Sequence, residues 1–315
     1  MCYAVIPMGV AQAEAGIAAQ LEGLRQADMR LATTLYRLSV ANDQLCQNHA
    51  MITGIALHAR NEYDASVRAA VDQQFDFESP IGIEGVVDGS PAAQAGVRAD
   101  DSLIAIDGVP IPDNESRGQA LDAIDDAGAH GPVALDLRRD GQDRQVVVHP
   151  IRACRVRAEI DVSGDLNAET DGAIIQVDSG LINLVEGDDG ALAAIVAHEL
   201  GHVVLDHPAR LTAAHVSRGF FKGFGRSARL FKQTENEADR LSVTLMANAG
   251  YDPQAAVRYW LTYGPRLNDH GGLGSTHLSW RDRARLIGEE AARVARDPAR
   301  PIVPDWINSR DQPLK

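Results

Sequence analysis

Residues 191–202 read Ala-Leu-Ala-Ala-Ile-Val-Ala-His-Glu-Leu-Gly-His. An apolar run of this kind suits the interior of a fold, yet it ends in two histidines and a glutamate. On a helix, residues four apart share a face, so His198 and His202 direct both imidazoles at one point. Glu199 follows His198 and is turned from it by about 100°. It misses that point but can reach a water molecule held there. A single metal ion gives both imidazoles a common partner; the plainer reading is two surface histidines on a core helix. Asp189 is expected to cap this helix, which runs from Gly190 to about Leu205.

A catalytic zinc site takes three protein ligands and keeps one position open. A metzincin-like continuation would put glycine at 205 and histidine at 208; Leu205 and Pro208 stand there. Downstream lies Glu235-Asn236-Glu237-Ala238-Asp239, on a helix expected over about 233–248. Glu235 and Asp239 are i,i+4 and share a face. Glu235 can complete the His-His-Glu set, and Asp239 can hydrogen-bond the second nitrogen of a ligand imidazole. Glu237 is the rival ligand if the register differs. His207, His215 and His270 are assigned no role at the metal. His207 is read as a cation favoured at the C-terminus of the helix.

Ahead of this region, leucines at helical spacing from Leu21 to Leu38 and a stretch from Tyr63 to Phe75 predict a helical segment over 14–76. His49 and His58 there are read as ordinary surface or core residues. From Ser79-Pro80 the pattern changes to short β-rich runs between Gly, Pro and Asp turns, up to about residue 152. The run Gly89-Ser90-Pro91-Ala92-Ala93-Gln94-Ala95-Gly96-Val97, followed by Leu103-Ile104-Ala105-Ile106-Asp107-Gly108, resembles bacterial PDZ domains. That resemblance implies peptide binding, with Ile81-Gly82-Ile83 in the place of the carboxylate-binding loop.

From about Val156 to Ala295 the chain resembles the M48 peptidases. The resemblance rests on Asn167-Ala168, Ser179-Gly180-Leu181, the H-E-x-x-H helix and the E-x-x-x-D helix. It implies an α+β fold: a mainly α-helical zincin-like domain with a small sheet, preceded by a β-rich PDZ-like domain and N-terminal helices. It also implies one zinc ion per chain and an endopeptidase acting on protein or peptide substrates. The strand near Asn167 and Ala168 would line the cleft. Ser275-Thr276-His277 resembles a family loop whose histidine reaches the zinc, so His277 is a candidate gate or oxyanion donor. Arg281 and Arg283 are candidates to brace the site. The alternative is a latent or non-proteolytic PDZ-containing adaptor with a His-gated zinc site.

The expected organisation is a signal-peptide remnant over 1–13, a helical segment over 14–76, a PDZ-like domain over 77–152, the peptidase domain over 153–300 and a tail over 301–315. Ala11-Gln12-Ala13 after an apolar stretch fits a cleavage pattern; a short disordered or helical N-terminus is the alternative. Setting Cys2 aside leaves Cys46 and Cys154, an even pair that suits one disulfide in an oxidising, periplasmic or otherwise extracytoplasmic setting. The formal net charge of −14 argues against nucleic acid as a partner. No apolar run is long enough to span a bilayer, which counts against an intramembrane protease. Residues 210–232 carry six Lys/Arg, no Asp/Glu and four Phe. They are a candidate for peripheral membrane contact or a lid, against the plainer reading of a packed helical hairpin. Oligomeric state is not legible.

Overall fold

A computed structural model describes residues 8–216, 225–267 and 278–314. They divide into two compact units, residues 1–33 with 50–152 and residues 34–49 with 153–315. His277, His270 and the Phe220-Phe221-Lys222 part of the basic segment lie outside the described residues.

In chain order the first elements are α1 (Met8–Ala41), β1 (His49–Ile52), β2 (Ile55–Ala59), α2 (Arg68–Phe75), β3 (Ile81–Val86), α3 (Pro91–Ala95), β4 (Ser102–Ile106) and β5 (Val109–Pro110). They are followed by α4 (Arg117–His130), β6 (Val133–Arg139), β7 (Gln142–Val148) and β8 (Ile151–Cys154). The main sheet of the first unit runs β2-β3-β4-β6-β7, while β1 and β8 pair separately. Its core is built from alternate strand residues, among them Leu57, Ile81, Ile83, Leu103, Leu135 and Leu137, packed against Ala120 and Ile124 of α4. Ser90 caps α3 and Ser116 caps α4, each accepting from a backbone N–H of the first turn.

The segment 14–76 is therefore not wholly helical. It is helical to Ala41 and again over 68–75, with β1 and β2 between. His58, on β2, sits in an aromatic cluster with Tyr63, Phe75 and Phe77. The early part of α1 belongs to the same packing: Leu21 joins Val71 and Phe75, Arg25 stacks on Phe75 and pairs with Asp100 at 2.7 Å, and Met29 occupies the space where a side chain at Gly85 would stand.

The second unit contains β9 (Arg157–Asp161), β10 (Ala168–Thr170), β11 (Ile174–Asp178), α5 (Ser179–Leu184), α6 (Asp189–Val204), α7 (His207–Ala213), α8 (Gly225–Asn248), α9 (Gln254–Tyr263) and α10 (Trp280–Arg296). Its sheet is ordered β10-β11-β9, with β11 parallel to β9 and antiparallel to β10. Helix α6 is the centre of the unit, with residues 191–197 all buried, as a helix apolar on every face must be. Its cap is Asp188, one residue before the position expected from sequence; the side chain accepts from Ala191 N at 2.9 Å. Cys46 and Cys154 form a disulfide with Cα atoms 5.5 Å apart. Beside it the buried Asn42 donates to the carbonyls of Leu38 and Leu245 and accepts from Asn248. No helix among the described residues is long and apolar enough to cross a membrane.

Candidate metal centre

Helices α6 and α8 cross where Gly201 faces Ala238. A Cβ on Gly201 would lie 3.2 Å from the Ala238 carbonyl oxygen, so the missing side chain is what permits this approach. It brings Glu235, one turn earlier on α8, over the two histidines of α6. His198 Nε2 and His202 Nε2 lie 3.1 Å apart. Glu235 is 3.2 Å from His198 Nε2 and 3.6 Å from His202 Nε2. Ligand atoms at about 2.1 Å around a tetrahedral ion are about 3.4 Å from one another, so the three groups have the spacing and chemistry of a zinc donor set. Among the described residues they are the only such cluster.

The electrostatics of the cluster favour a cation. Burial opposes charge on His198, but the Asp239 and Glu235 carboxylates outweigh it and raise its pKa to about 10. Burial dominates at His202 and lowers its pKa well below the usual value. Glu199 is buried, and mainly for that reason its carboxyl is pushed up to about 7. A carboxyl balanced near neutrality can both take and return a proton.

Each histidine has a partner on its far side. His198 Nδ1 lies 3.0 Å from Asp239 Oδ1. Asp239 is buried and gripped by Arg283, whose Nε and Nη2 donate to its two oxygens at 2.8 and 2.6 Å. The guanidinium also stacks 3.8 Å over Trp260. Arg283 thus braces the site from α10, whereas Arg281 stacks on Trp280. His202 Nδ1 lies 3.0 Å from His207 Nδ1, and His207 Nε2 lies 3.1 Å from Glu237. Sequence reasoning missed this second arrangement. His207 is not the end of α6: Asp206 turns the chain at φ 52° and His207 opens α7, fully buried. The available signal was the third histidine, five residues after His202, followed by Arg210. Arg210 belongs to the basic segment, but it is buried and paired with Glu237 at 2.9 Å. Leu230 and Phe231 of that segment join an apolar cluster with Leu211 and Leu314.

The cluster opens into a cleft of about 660 Å³. Its lining includes the segment Leu166 to Thr170, with Asn167, Ala168 and the edge strand β10, together with Tyr259, Trp260 and Ile287. The candidate carboxylate loop of the first unit is different. Ile81-Gly82-Ile83 is the interior of β3, paired with β2 on one side and β4 on the other. Ile81 and Ile83 fill the core, and the Gly82 face is covered by His58 and Phe77. The Ile83 N–H is already donated to the Asp101 carbonyl at 2.7 Å. One end strand of that sheet is β2, which follows Thr53 and Gly54, the latter at φ 81°.

Residues 155–223 and 222–291 match the sequence profile of peptidase family M48, and residues 82–139 match that of the PDZ domain. A mitochondrial metalloendopeptidase OMA1 of Schizosaccharomyces pombe is 31% identical over 139 residues, 38% of this chain and 41% of the relative. One of Arabidopsis thaliana is 29% identical over 153 residues, 39% of this chain and 30% of the relative. The chain thus spans less than half the length of these curated relatives. A crystal structure of the HtrA3 PDZ domain bound to a phage-derived ligand aligns with 33% of this chain and 89% of that chain, at 20% identity and a TM-score of 0.27. With the profile matches, the chain carries an M48-family peptidase domain preceded in sequence by a PDZ domain.

Proposed function

We propose that the chain is a zinc-dependent endopeptidase of protein substrates, and the observation that carries this reading is the buried Glu199 carboxyl beside the His198-His202-Glu235 donor set. Those three residues would hold the ion. When bound, zinc supplies a Lewis acid that polarises a carbonyl and acidifies water. Glu199 takes a proton from the attacking water on a carboxylate oxygen and returns it to the leaving amine. Its elevated pKa suits both steps. An extended peptide can add as a strand to the open edge of β10, which would hold its backbone across the cleft. In the first unit, the edge of β2 is the corresponding place for a substrate segment, since Ile81-Gly82-Ile83 is already paired on both sides. The Cys46–Cys154 bridge supports an oxidising, extracytoplasmic setting.

Cleavage of casein by the full chain and by Glu199→Gln, with zinc content measured in both, tests the reading. The expected result is equal zinc and loss of cleavage by a factor of about 10³ or more in the variant. Undiminished cleavage by Glu199→Gln would remove the general base and the mechanism with it.

A further inference from the structure

The relay behind His202 fixes a proton position that the metal site needs. A neutral imidazole carries one proton, and the partner of one nitrogen decides which nitrogen keeps it. In water the Nε2–H form is favoured, which is the wrong form for a residue that must offer Nε2 to an ion. The choice here can be followed from the outer end. Glu237 accepts from Arg210 Nη1 at 2.9 Å and from Gln233 Nε2 at 2.8 Å. With the Arg210 guanidinium as its counter-charge and the Gln233 amide donating to it, Glu237 is held as a carboxylate. A carboxylate only accepts, so His207 Nε2, 3.1 Å away, must be the donor. His207 has no exposed surface, and a neutral imidazole that donates from Nε2 presents Nδ1 as a bare lone pair. That lone pair faces His202 Nδ1 at 3.0 Å, and one of the two nitrogens must supply a proton.

We propose that His207 is a positioning residue for the metal: held by Glu237, it accepts the Nδ1 proton of His202 and leaves His202 Nε2 unprotonated toward His198 and Glu235. The two imidazoles are then oriented by different means. His198 is set by the Asp239 carboxylate under Arg283, and His202 by a neutral histidine whose own direction comes from Glu237 and Arg210. The inference rests on the metal-site reading above and adds three residues, His207, Glu237 and Arg210, that stand outside the donor set.

The test uses the full chain and zinc itself. Zinc affinity is measured by chelator competition for wild type, His207→Leu and His207→Asn, with folding of each followed by circular dichroism. Leucine removes the acceptor. Asparagine can place Oδ1 where Nδ1 stood and so restores it. His207→Leu is expected to bind zinc about 10- to 100-fold more weakly, and His207→Asn within about threefold of wild type. Nitrogen-15 histidine spectra of the metal-free wild type are expected to show His202 as the Nδ1–H form; this readout holds even if the leucine variant does not fold. The relay is overturned if His202 carries its proton on Nε2, if both variants lose affinity alike, or if His207→Leu binds like wild type. Absence of zinc uptake by wild type would instead remove the metal-site reading and the relay with it.

Discussion

Asp239 shows how much a single carboxylate holds in this site. It is buried, it faces His198 Nδ1, and it carries both donors of Arg283. Its pKa is lowered to about 2: burial works against the charge, but Arg283 and His198 prevail. Replacement by asparagine takes from the buried guanidinium the carboxylate that meets it through two hydrogen bonds, a change that costs about 3–5 kcal/mol. It also removes the carboxylate that orients His198. Asp239→Asn is therefore expected to lower unfolding stability by about that amount and to weaken zinc binding about 10- to 100-fold, measured by denaturant titration and chelator competition. At this scale the sequence was informative where spacing encodes direction. The i,i+4 pairs His198/His202 and Glu235/Asp239 lie on helices, so their shared faces follow from the helical period. His207 was not legible as a partner of His202, because the left-handed Asp206 turn that folds it back has no counterpart in a periodic pattern.

Between elements, the contact of α6 with α8 decides whether the donor set exists. At Gly201→Ala the new Cβ would lie 3.2 Å from Ala238 O and 3.3 Å from its Cα. The helices must part by a few tenths of an ångström, and Glu235 moves with α8. Overpacking of this kind costs about 1–3 kcal/mol; the variant is expected to show that loss in thermal unfolding together with weaker zinc binding. In the first unit, β2 went unread because its run is short and lies between two helices, so the local pattern resembled their continuation. In its partner β3, Ile81-Gly82-Ile83 was given the place of a loop, since a glycine between two isoleucines serves close packing under a ring as well as it serves a turn. His58 on β2 gives a pH signature. Burial, then the nearby Arg25 and Arg117, lowers its pKa to about 3, whereas an unfolded chain protonates it near 6.5. Between those values the unfolded state binds more protons, so stability falls as pH drops from about 6.5 towards 3. Asp28 and Glu84, whose carboxyls hydrogen-bond to each other in the interior, are shifted upward and act in the opposite sense. Comparison with His58→Phe cancels them. The stability difference between wild type and variant is expected to shift by about 2–4 kcal/mol against wild type across that range, measured by urea unfolding at several pH values.

In the whole molecule, the disulfide encloses the chain from β1 to β8 within a separation of 108 residues, and with it the whole PDZ sheet. Closing a loop of that length removes about 4–5 kcal/mol of unfolded-state entropy. A Cys46→Ala/Cys154→Ala variant is expected to lose about 3–5 kcal/mol in denaturant unfolding, with the same loss on reduction of wild type. The even cysteine pair made this bridge readable, while the return of α1 and β2 into the packing of the first unit depends on contacts distant in sequence. The central claim is that His198, His202 and Glu235 together hold one ion. The most direct test is zinc stoichiometry by mass spectrometry under native conditions, for wild type and Glu235→Ala. One zinc per chain in wild type and loss of it in Glu235→Ala is the predicted result; a metal-free wild type, or full zinc in the variant, would contradict it.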